Sequence, residues 1–563
     1  MNYFLTYTVY VLILSVLMGI STWKLFKKMG YSPLFAFIPF YNYFIILKET
    51  KHPKWWAVLS YLPIVGPIMM SVFHIYLMKK FGKTLFQHQL LTVILPFIYM
   101  ASVNYSKDAE VEDESTNDLF LTDEEKNTKK KDTFVGSITF AVVFATIIHV
   151  FVTQPFGIPT GSMERTLLVG DFLFVNKWSY GYRLPMRPVA IPFLQGTIMD
   201  TGEKGNPKDD PKSYVDAVKL PYERILQFNK PQRNDIVVFN YPQDSVHTAI
   251  DRKDPYVKRC VAVAGDTFEM RAGRLFVNGK PEKILGDQEE QHSFIIETGS
   301  EIDIKDLFKR LEYISIVQVD SESPYFQDKI VKYKINPKNT VYVMQLTDKR
   351  LQAIKSLPQV ISVHEDILDK GYAAVAYRDA MRTKIDTTQS IYPINKPWNQ
   401  DWYGPLKIPK KGDVVTINQE SLPMYQWIIS EYEHNSLENK NGKIFINGKQ
   451  TNQYTIKQDY YMMVGDNRDA SLDARFFGVV PEENIVGKPM FTWMSIEGAF
   501  NDSGASFQAD GWRIRWDRMF KATNTGEANK TSYWWIAAMI LILFFGWEYF
   551  VKLFRKDKKE ENL

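Results

Sequence analysis

The chain has 563 residues, a length that predicts about three or four structural units. Its 68 basic and 64 acidic residues leave a formal charge of +4, so the composition gives no reason to expect a nucleic acid or an acidic substrate. The single cysteine, Cys260, excludes an intrachain disulfide and a zinc site built from several cysteines. Its apolar strand context favours a small buried residue over a reactive thiol.

Apolar segments dominate residues 1–103, which we predict to be membrane segments of unknown role. The uncharged run from Tyr3 to Trp23 is long enough to cross a hydrocarbon core of roughly 30 Å. Lysines follow this run and none precedes it, which favours a membrane helix with its amino terminus outside over a cleaved signal peptide. Three further apolar segments are short or broken by prolines, so how they cross the membrane stays open. They are Leu34 to Leu47, Trp55 to Met78 and Leu85 to Val103.

The positions of the basic residues predict the topology of the rest of the chain. Residues 104–132 form a charged linker that ends in three lysines, directly before the apolar segment 133–153. A second apolar segment, 533–552, precedes the basic tail 553–563. Basic flanks are expected on the cytoplasmic side. We therefore predict a multi-pass protein of the cytoplasmic (inner) membrane, with the region between these two transmembrane helices on the extracytoplasmic, periplasmic side.

That outer region is predicted to be mainly β. Short runs rich in β-branched and aromatic residues, separated by turn residues, cover 154–280 and 395–532. Two similar segments contain the pairs Asn278-Gly279 and Asn447-Gly448, and such pairs are a strong signal for a hairpin.

Residues 281–394 have a different pattern and are predicted to be an inserted α/β module. A helix is expected at residues 304–311, and a strand followed by a helix is expected over residues 340–356.

A rigid turn follows the predicted anchor 133–153. In the stretch Gln154 to Met163, two prolines restrict the backbone conformation, and two glycines allow conformations that other residues rarely adopt. Ser162 is thereby left on a shaped turn just outside the membrane. A reactive serine would benefit from such a shaped turn. The alternative is a simple Pro/Gly linker between an anchor and a domain.

A serine hydroxyl needs a neighbouring base before it becomes a good nucleophile. The nearest downstream histidine, His247, lies in a polar stretch with the composition of a flexible loop. Lys258 instead lies within an apolar strand pattern, where burial would lower the pKa of its amine towards neutrality. Lys258 is therefore the predicted base, and the alternative is a lysine that points to solvent from a strand edge.

A third stretch, Met463 to Pro481, is dense in small, polar and charged residues. Asp466, Asn467 and Asp469 can cap turns, Asp473 and Arg475 can pair, and the Ser471 hydroxyl can orient a nearby amine. The stretch lacks the spacing of a calcium loop, so no metal site is predicted.

Taken together, these stretches resemble the bacterial type I signal peptidases (leader peptidases), membrane-bound serine proteases that remove signal peptides. Pro159-Thr160-Gly161-Ser162-Met163 is similar to the nucleophile box of that family, Tyr256-Val257-Lys258-Arg259 to its lysine box, and Gly465 to Arg475 to its third signature. Residues 233–239 resemble the strand between the first two boxes. Ala470, Ala474 and the turn at 262–265 depart from the usual pattern without removing a catalytic group.

The resemblance implies a signal-peptidase-like β fold and a role for each matching residue. Ser162 would be the nucleophile and Lys258 the general base of a Ser-Lys dyad, with the Thr160 hydroxyl and the Ser162 backbone N–H as the oxyanion hole. The supporting residues would be Ser471, Asp473, Arg475 and Asp466. The residues lining shallow substrate pockets would be Phe156, Ile158, Pro159, Tyr256 and Val257.

The implied activity is endoproteolytic removal of amino-terminal signal peptides after small-x-small sites, without a cofactor. The expected partners are preprotein signal peptides and the lipid bilayer, with no nucleic acid, and the oligomeric state is left open. Residues 491–494, Trp512 and Trp516 could rest in the membrane interface or belong to an ordinary core. Two alternatives are a catalytically inactive membrane-anchored assembly or binding protein on the same scaffold, and a transport or sensing protein whose front segments are the working part.

Overall fold

The computed structural model describes residues 2–111, 141–199, 207–247, 249–285, 288–311, 316–319, 324–371, 377–378, 385–386, 390–500, 512–523, 535 and 538–539. Internal contacts divide the chain into two compact units. The helical unit comprises Met1–Gln154, Gly181–Gln227 and Asp244–Asp254. The β unit comprises Pro155–Tyr180, Phe228–Gln243 and Pro255–Leu563. Two segments of the predicted β domain thus belong to the unit that holds the front apolar segments.

Six helices of the helical unit fall within the described residues. They are α1 (Tyr3–Lys28), α2 (Tyr41–Glu49), α3 (Val65–Lys80), α4 (Phe86–Ile94), α5 (Pro96–Tyr105) and α6 (Ala141–Phe151). Of the described helices, α1 alone is long and apolar enough to cross a membrane. The prediction of several transmembrane helices therefore stays a prediction. The predicted span at 533–552 lies almost wholly outside the described residues.

Local sequence explains where these helices begin and break. The Asn2 side chain caps α1 by accepting a hydrogen bond from the Leu5 backbone N–H (2.9 Å), and two lysines in the last turn suit the negative end of the helix dipole. The segment from Trp55 to Met78 is broken before α3, where Ile64 has a positive φ of 68°. Pro96 starts α5 directly after α4. The predicted break within the segment from Trp55 to Met78 is thereby confirmed, and the break before Pro96 was not predicted.

The helical unit is completed by chain from later in the sequence. The Tyr3 hydroxyl donates to the carbonyl of Pro185 (3.0 Å), and the Ile64 backbone N–H donates to the carbonyl of Pro188 (2.7 Å). The Tyr182 hydroxyl donates to the carbonyl of Val150 in α6 (2.9 Å). The strands β3 (Tyr182–Arg183) and β4 (Arg224–Ile225) pair in the same segment. The segment from Tyr182 to Pro188 is therefore packed on the helices.

The β unit is built around a sheet of nine described strands that differ in length. This agrees with the prediction of a mainly β domain. The strands are β1 (Thr153–Gly157), β2 (Asp171–Asn176), β5 (Ile236–Asn240), β6 (Pro255–Ala262), β22 (Tyr460–Val464), β23 (Val480–Pro481), β24 (Ile485–Glu497), β25 (Arg513–Ile514) and β26 (Lys521–Ala522). The main path runs β1-β2-β24-β5-β6-β22-β23, and β25 and β26 also pair with β24.

Smaller sheets and short helices complete the β unit outside the insert. The strands are β7 (Thr267–Arg271), β8 (Arg274–Val277), β9 (Lys280–Pro281), β16 (Tyr403–Lys407), β17 (Val414–Thr416), β18 (Leu437–Lys440), β19 (Lys443–Ile446), β20 (Lys449–Gln450) and β21 (Gln453–Thr455). The helices are α10 (Leu422–Trp427) and α11 (Ala474–Phe477). Both predicted hairpins are confirmed, because Asn278 and Asn447 have positive φ in tight turns between β8 and β9 and between β19 and β20.

The insert has the α/β character that its sequence predicted. Strands β10 (His292–Thr298), β11 (Ile316–Gln318), β12 (Thr340–Leu346) and β13 (Val360–Glu365) form an antiparallel sheet in the order β11-β12-β10-β13. The helices are α7 (Ile304–Leu311), α8 (Pro324–Tyr333) and α9 (Asp348–Lys355). A separate pair is formed by β14 (Tyr377–Arg378) and β15 (Ile385–Asp386). The helix at 304–311 and the strand and helix within 340–356 occur where they were predicted.

The core of the β unit fixes the strand that carries Lys258. Strand β6 lies between β5 and β22 and is hydrogen bonded on both sides. Its later residues, Cys260 to Ala262, are buried in the main apolar cluster with Phe239 and Met462. Cys260 is a buried free thiol, as expected.

Candidate active site

Ser162 lies on a single turn of 3-10 helix, Gly161–Met163, that follows β1. Two backbone hydrogen bonds hold the chain before this turn, from the Ile158 N–H to the Asp171 carbonyl (2.8 Å) and from the Gly170 N–H to the Ile158 carbonyl (2.9 Å). Thr160 is extended and exposed, whereas Ser162 is partly buried. The predicted turn therefore leaves Ser162 partly, and not fully, buried.

Lys258 lies opposite Val237 of β5 and is 3% exposed. Its Nζ is 2.5 Å from the Oγ of Ser162, although the two residues are far apart in sequence. Burial lowers the pKa of the Lys258 amine to about 8, against the opposing effect of the Asp473 carboxylate. The lysine is thus buried beside the serine, which excludes the alternative of a solvent-facing lysine at a strand edge.

The Asp473 and Arg475 side chains form the buried ion pair that the sequence suggested. The Nε and Nη2 of Arg475 donate to the two carboxylate oxygens of Asp473 at 2.9 and 2.8 Å. Asp473 also accepts the backbone N–H of Gly465 (3.2 Å), and Arg475 donates to the carbonyl of Arg468 (2.5 Å). The pair therefore ties together both ends of the loop 465–475, called here the third loop.

Asp466 joins three segments of the site. Arg259, the residue after Lys258, donates to both of its carboxylate oxygens at 2.7 and 2.6 Å. The Thr166 hydroxyl, which follows the serine turn, donates to the same carboxylate at 2.5 Å. The sequence marked Asp466 only as a supporting residue, and its partners Arg259 and Thr166 were missed. An arginine in an apolar strand pattern, directly after the lysine, was the available signal for Arg259.

Asn467 holds the turn at Ser162 through two hydrogen bonds. Its side-chain Nδ2 donates to the carbonyl of Gly161 (3.1 Å), and its backbone N–H donates to the carbonyl of Ser162 (3.2 Å). These contacts place the third loop directly behind the serine. The sequence offered Asn467 only as a turn-capping residue, so this role was also missed.

Ser471 does not make the hydrogen bond to the Lys258 amine that was expected of it. Its Oγ is buried and makes no hydrogen bond within the described part of the chain. The lysine amine instead has its close contact with the Ser162 hydroxyl. The Ser471 hydroxyl packs beside Gly465, where a Cβ would overlap it. The expected hydrogen bond is therefore wrong for this arrangement of the side chains.

The predicted pocket residues lie in β1, directly after it and at the start of β6. Phe156 and Val257 pack on one small apolar cluster, and Ile158 packs with Val257 on a second. The Tyr256 ring stacks on Tyr241 with ring centroids 4.6 Å apart. Ile158 is 4% exposed, so it supports the wall of a pocket more than its open surface, whereas Pro159 is exposed.

His247, the rejected alternative base, belongs to the helical unit. Its Nδ1 is 2.8 Å from Asp244, which also accepts the backbone N–H of Asp254 (3.0 Å). The candidate ligand atoms of these three residues lie within 4.8 Å of one another. The Asp244 carboxylate is, however, already used by four donors, from the backbone N–H groups of Val246, His247 and Asp254 and from the His247 ring. The cluster therefore has the contacts of a side-chain cap on a turn.

Comparison with known protein families shows the family to which this chain belongs. The sequence model of the family described as "Signal peptidase, peptidase S26" matches residues 131–347 and 405–494, more than half of the chain. The chain belongs to the S26 signal peptidase family. It is accordingly a serine endopeptidase, and the resemblance seen in the sequence motifs is confirmed.

Individual relatives agree with the S26 assignment. The signal peptidase I of Buchnera aphidicola subsp. Schizaphis graminum is 26% identical over 367 residues, covering 65% of this chain and 74% of the relative. That of Haemophilus influenzae is 26% identical over 393 residues, covering 69% and 75%. That of Pseudomonas fluorescens is 34% identical over 155 residues, covering 27% and 40%. Residues 34–112 match a separate family of unknown function, DUF5684.

Proposed function

We propose that this endopeptidase removes signal peptides from exported preproteins with Ser162 as nucleophile and Lys258 as general base. The observation that carries the proposal is the 2.5 Å separation of the Lys258 Nζ and the Ser162 Oγ. A buried lysine whose pKa is lowered to about 8 by burial has a substantial neutral fraction near neutral pH. Such an amine can accept a proton, whereas a solvated lysine remains almost fully charged.

The chemistry follows from this pair. The neutral Lys258 amine takes the proton of the Ser162 hydroxyl while the Oγ bonds to the scissile carbonyl carbon. The carbonyl oxygen becomes an oxyanion, for which the Ser162 N–H and the Thr160 hydroxyl are the proposed donors. The protonated lysine then gives its proton to the leaving amine as the peptide bond breaks. Water, activated by the same amine, hydrolyses the acyl-enzyme and restores Ser162.

The proposed specificity is for small side chains before the cleaved bond. Phe156 and Val257 pack on the same small apolar cluster, and Tyr256 is held by its stack on Tyr241. A pocket with these apolar walls would leave little room for a large side chain. We therefore propose small-x-small cleavage sites, with Ile158 and Pro159 shaping the floor and the rim.

We also propose that the protein is anchored in the cytoplasmic membrane, with the site on its outer face. The length and apolar character of α1 support the anchor, as does the apolar segment that precedes Ser162. Trp512 and Trp516 are 78% and 63% exposed on the β unit, and exposed tryptophans suit a membrane interface. A site attached in this way would meet a cleavage site emerging from the bilayer with little search.

The test is cleavage of a preprotein that carries a small-x-small site by the purified full-length protein in detergent. Ser162→Ala, Lys258→Ala and Lys258→Arg should each abolish processing, because arginine keeps the charge but cannot give up its proton. Lys443→Ala, at an exposed lysine in β19, is the matched control and should cleave normally. Normal processing by the Ser162 and Lys258 variants would favour an inactive assembly or binding protein instead.

A further inference from the structure

We propose that the segment leading into the insert sheet positions the Ser162 and Lys258 pair, with Glu282, Glu290 and Gln291 as positioning residues. This lead-in segment, at the start of the insert, consists of residues 282–285 and 288–293. It contacts the third loop through backbone hydrogen bonds and a buried charge cluster. The inference rests on the proposed function, because it assigns these residues a role in aligning that dyad.

The backbone of Gln291 pairs with the third loop on both sides of Asn467. The Gln291 N–H donates to the Asp466 carbonyl (3.1 Å), and the Arg468 N–H donates to the Gln291 carbonyl (3.0 Å). This is the pattern of a parallel bridge between Gln291 and Asn467. Residue 467 is thereby fixed in position relative to the lead-in segment, independently of the side chain at 291.

Asn467 passes this constraint to the nucleophile. It is the residue whose side chain and backbone donate to the carbonyls of Gly161 and Ser162. A shift of the third loop at this point would therefore move the serine turn. Only two hydrogen-bonded steps separate Gln291 from Ser162.

A buried charge cluster fixes the same loop one residue further along. The Arg468 Nη2 donates to Glu282 (2.7 Å) and also to Glu290, and Arg468 is 1% exposed. The Gln288 amide bridges the two glutamates at 3.2 and 3.0 Å. A buried guanidinium is tolerated only where it is paired, so the two carboxylates determine where Arg468 can lie.

The insert sheet anchors the other end of the lead-in segment. The Ser293 N–H, at the start of β10, donates to the Asp469 carboxylate (2.7 Å), and the Gln345 amide of β12 donates to the Ser293 hydroxyl (2.5 Å). The third loop is therefore held against a folded module and not against a loose connection. This gives the insert a mechanical role in the active site.

The pKa of the Lys258 amine depends on how firmly the third loop is held. The amine is buried, and the charged groups that act on it are Asp473, Arg475 and Asp466, all on the third loop. A loosened loop would admit water to the amine and bring its pKa back towards that of an exposed lysine. The neutral fraction at a given pH would fall, and the acid limb of the pH-rate profile would move to higher pH.

The experiment measures kcat, KM and the pH profile of full-length variants in detergent with the preprotein substrate. For Arg468→Gln and for Glu290→Gln we expect kcat to fall about tenfold or more, with KM within about twofold, and the acid limb to move up by about half a unit or more. Arg468→Lys should recover part of the loss because it restores a charge to the cluster. The matched control is Glu269→Gln, which removes the exposed pair with Arg271 on β7 (2.7 Å) and should change none of these values.

Two outcomes would overturn the inference. One is a loss of activity that is fully explained by a smaller fraction of folded protein. In that case kcat per folded molecule and the pH profile would be unchanged. The other is wild-type behaviour of both variants. If Arg468→Gln does not fold, the milder Glu290→Gln decides the question alone. Ser162→Ala and Lys258→Ala are assayed in parallel, since their residual activity would instead contradict the proposed function on which the inference rests.

Discussion

Arg259 and Asp466 form a two-point ion pair buried beside the dyad, at 2.7 and 2.6 Å, and both side chains are nearly inaccessible to solvent. The pair links the strand that carries Lys258 to the third loop. Thr166 adds the serine segment to the same carboxylate. Three stretches that are distant in sequence are therefore held together at one carboxylate.

The first prediction is that Asp466→Ala destabilises the protein strongly. Removing the carboxylate leaves the Arg259 guanidinium buried without its partner, which typically costs about 3 to 5 kcal/mol. The measurement is the thermal or denaturant midpoint of the full-length protein, followed by tryptophan fluorescence. Glu269→Ala breaks an exposed ion pair and should cost less than about 1 kcal/mol. Equal effects of the two variants would contradict the prediction.

The second prediction concerns the pH dependence of cleavage. Only the neutral amine of Lys258 can accept the serine proton, and burial lowers its pKa to about 8. The value of kcat/KM should therefore rise with pH, level off above about pH 8, and fall about tenfold for each pH unit below that. A limb near the pKa of an ordinary lysine or of a histidine would exclude Lys258 as the buried base.

The third prediction concerns the close backbone approach at Gly465. A Cβ at this position would overlap the Ser162 carbonyl oxygen and the Ser471 hydroxyl. Gly465→Ala should therefore displace the serine turn and reduce kcat by about a hundredfold, as small displacements of reacting groups do. Gly299→Ala, where the added methyl group would make only ordinary contacts with Ile361, is a control for the general effect of replacing a glycine. Unchanged kcat in Gly465→Ala would show that the site can relax around the methyl group.

The fourth prediction tests the proposed oxyanion donor. Thr160→Val keeps the side-chain shape and removes the hydroxyl, so kcat should fall about 10²-fold to 10³-fold while KM changes little. Thr160→Ser keeps the hydroxyl and should retain most of the activity. Similar losses in both variants would assign Thr160 a packing role only.

The fifth prediction separates membrane contact from chemistry. Trp512 and Trp516 are exposed, so replacing both by alanine should leave cleavage of a soluble peptide in detergent unchanged. The same variant should associate more weakly with a bilayer. This loss is measured as a lower rate of preprotein cleavage in lipid vesicles. A loss of activity in detergent as well would indicate that these tryptophans stabilise the fold.

Much of the active site could be predicted from the sequence because its chemistry sits in short motifs. Ser162, Lys258 and the Asp473 and Arg475 pair were identified, and the structure brings the first two within 2.5 Å. Local signals also located the Asn-Gly hairpins and the helix at 304–311, since turn residues and helical periodicity act over a few positions.

Long-range packing could not be read in the same way. Nothing in the composition of residues 181–227 indicates that they pack on the helices, because their contacts with Tyr3 and Ile64 use backbone carbonyls. The link between Gln291 and Asn467 is likewise made by backbone groups, which every residue possesses. The expected Ser471 contact failed for a related reason, since the motif fixed the residue types and not the direction of each hydroxyl.

The composition of the helical unit has a consequence for biosynthesis. Its last segment, Asp244–Asp254, is translated after Ser162 and immediately before the strand that carries Lys258. A chain emerging from the ribosome therefore contains every segment of the helical unit before it contains Lys258, the proposed base. Ser162, the proposed nucleophile, is translated earlier, so on the proposed mechanism it stays unreactive until all segments of the unit around α1 have been made.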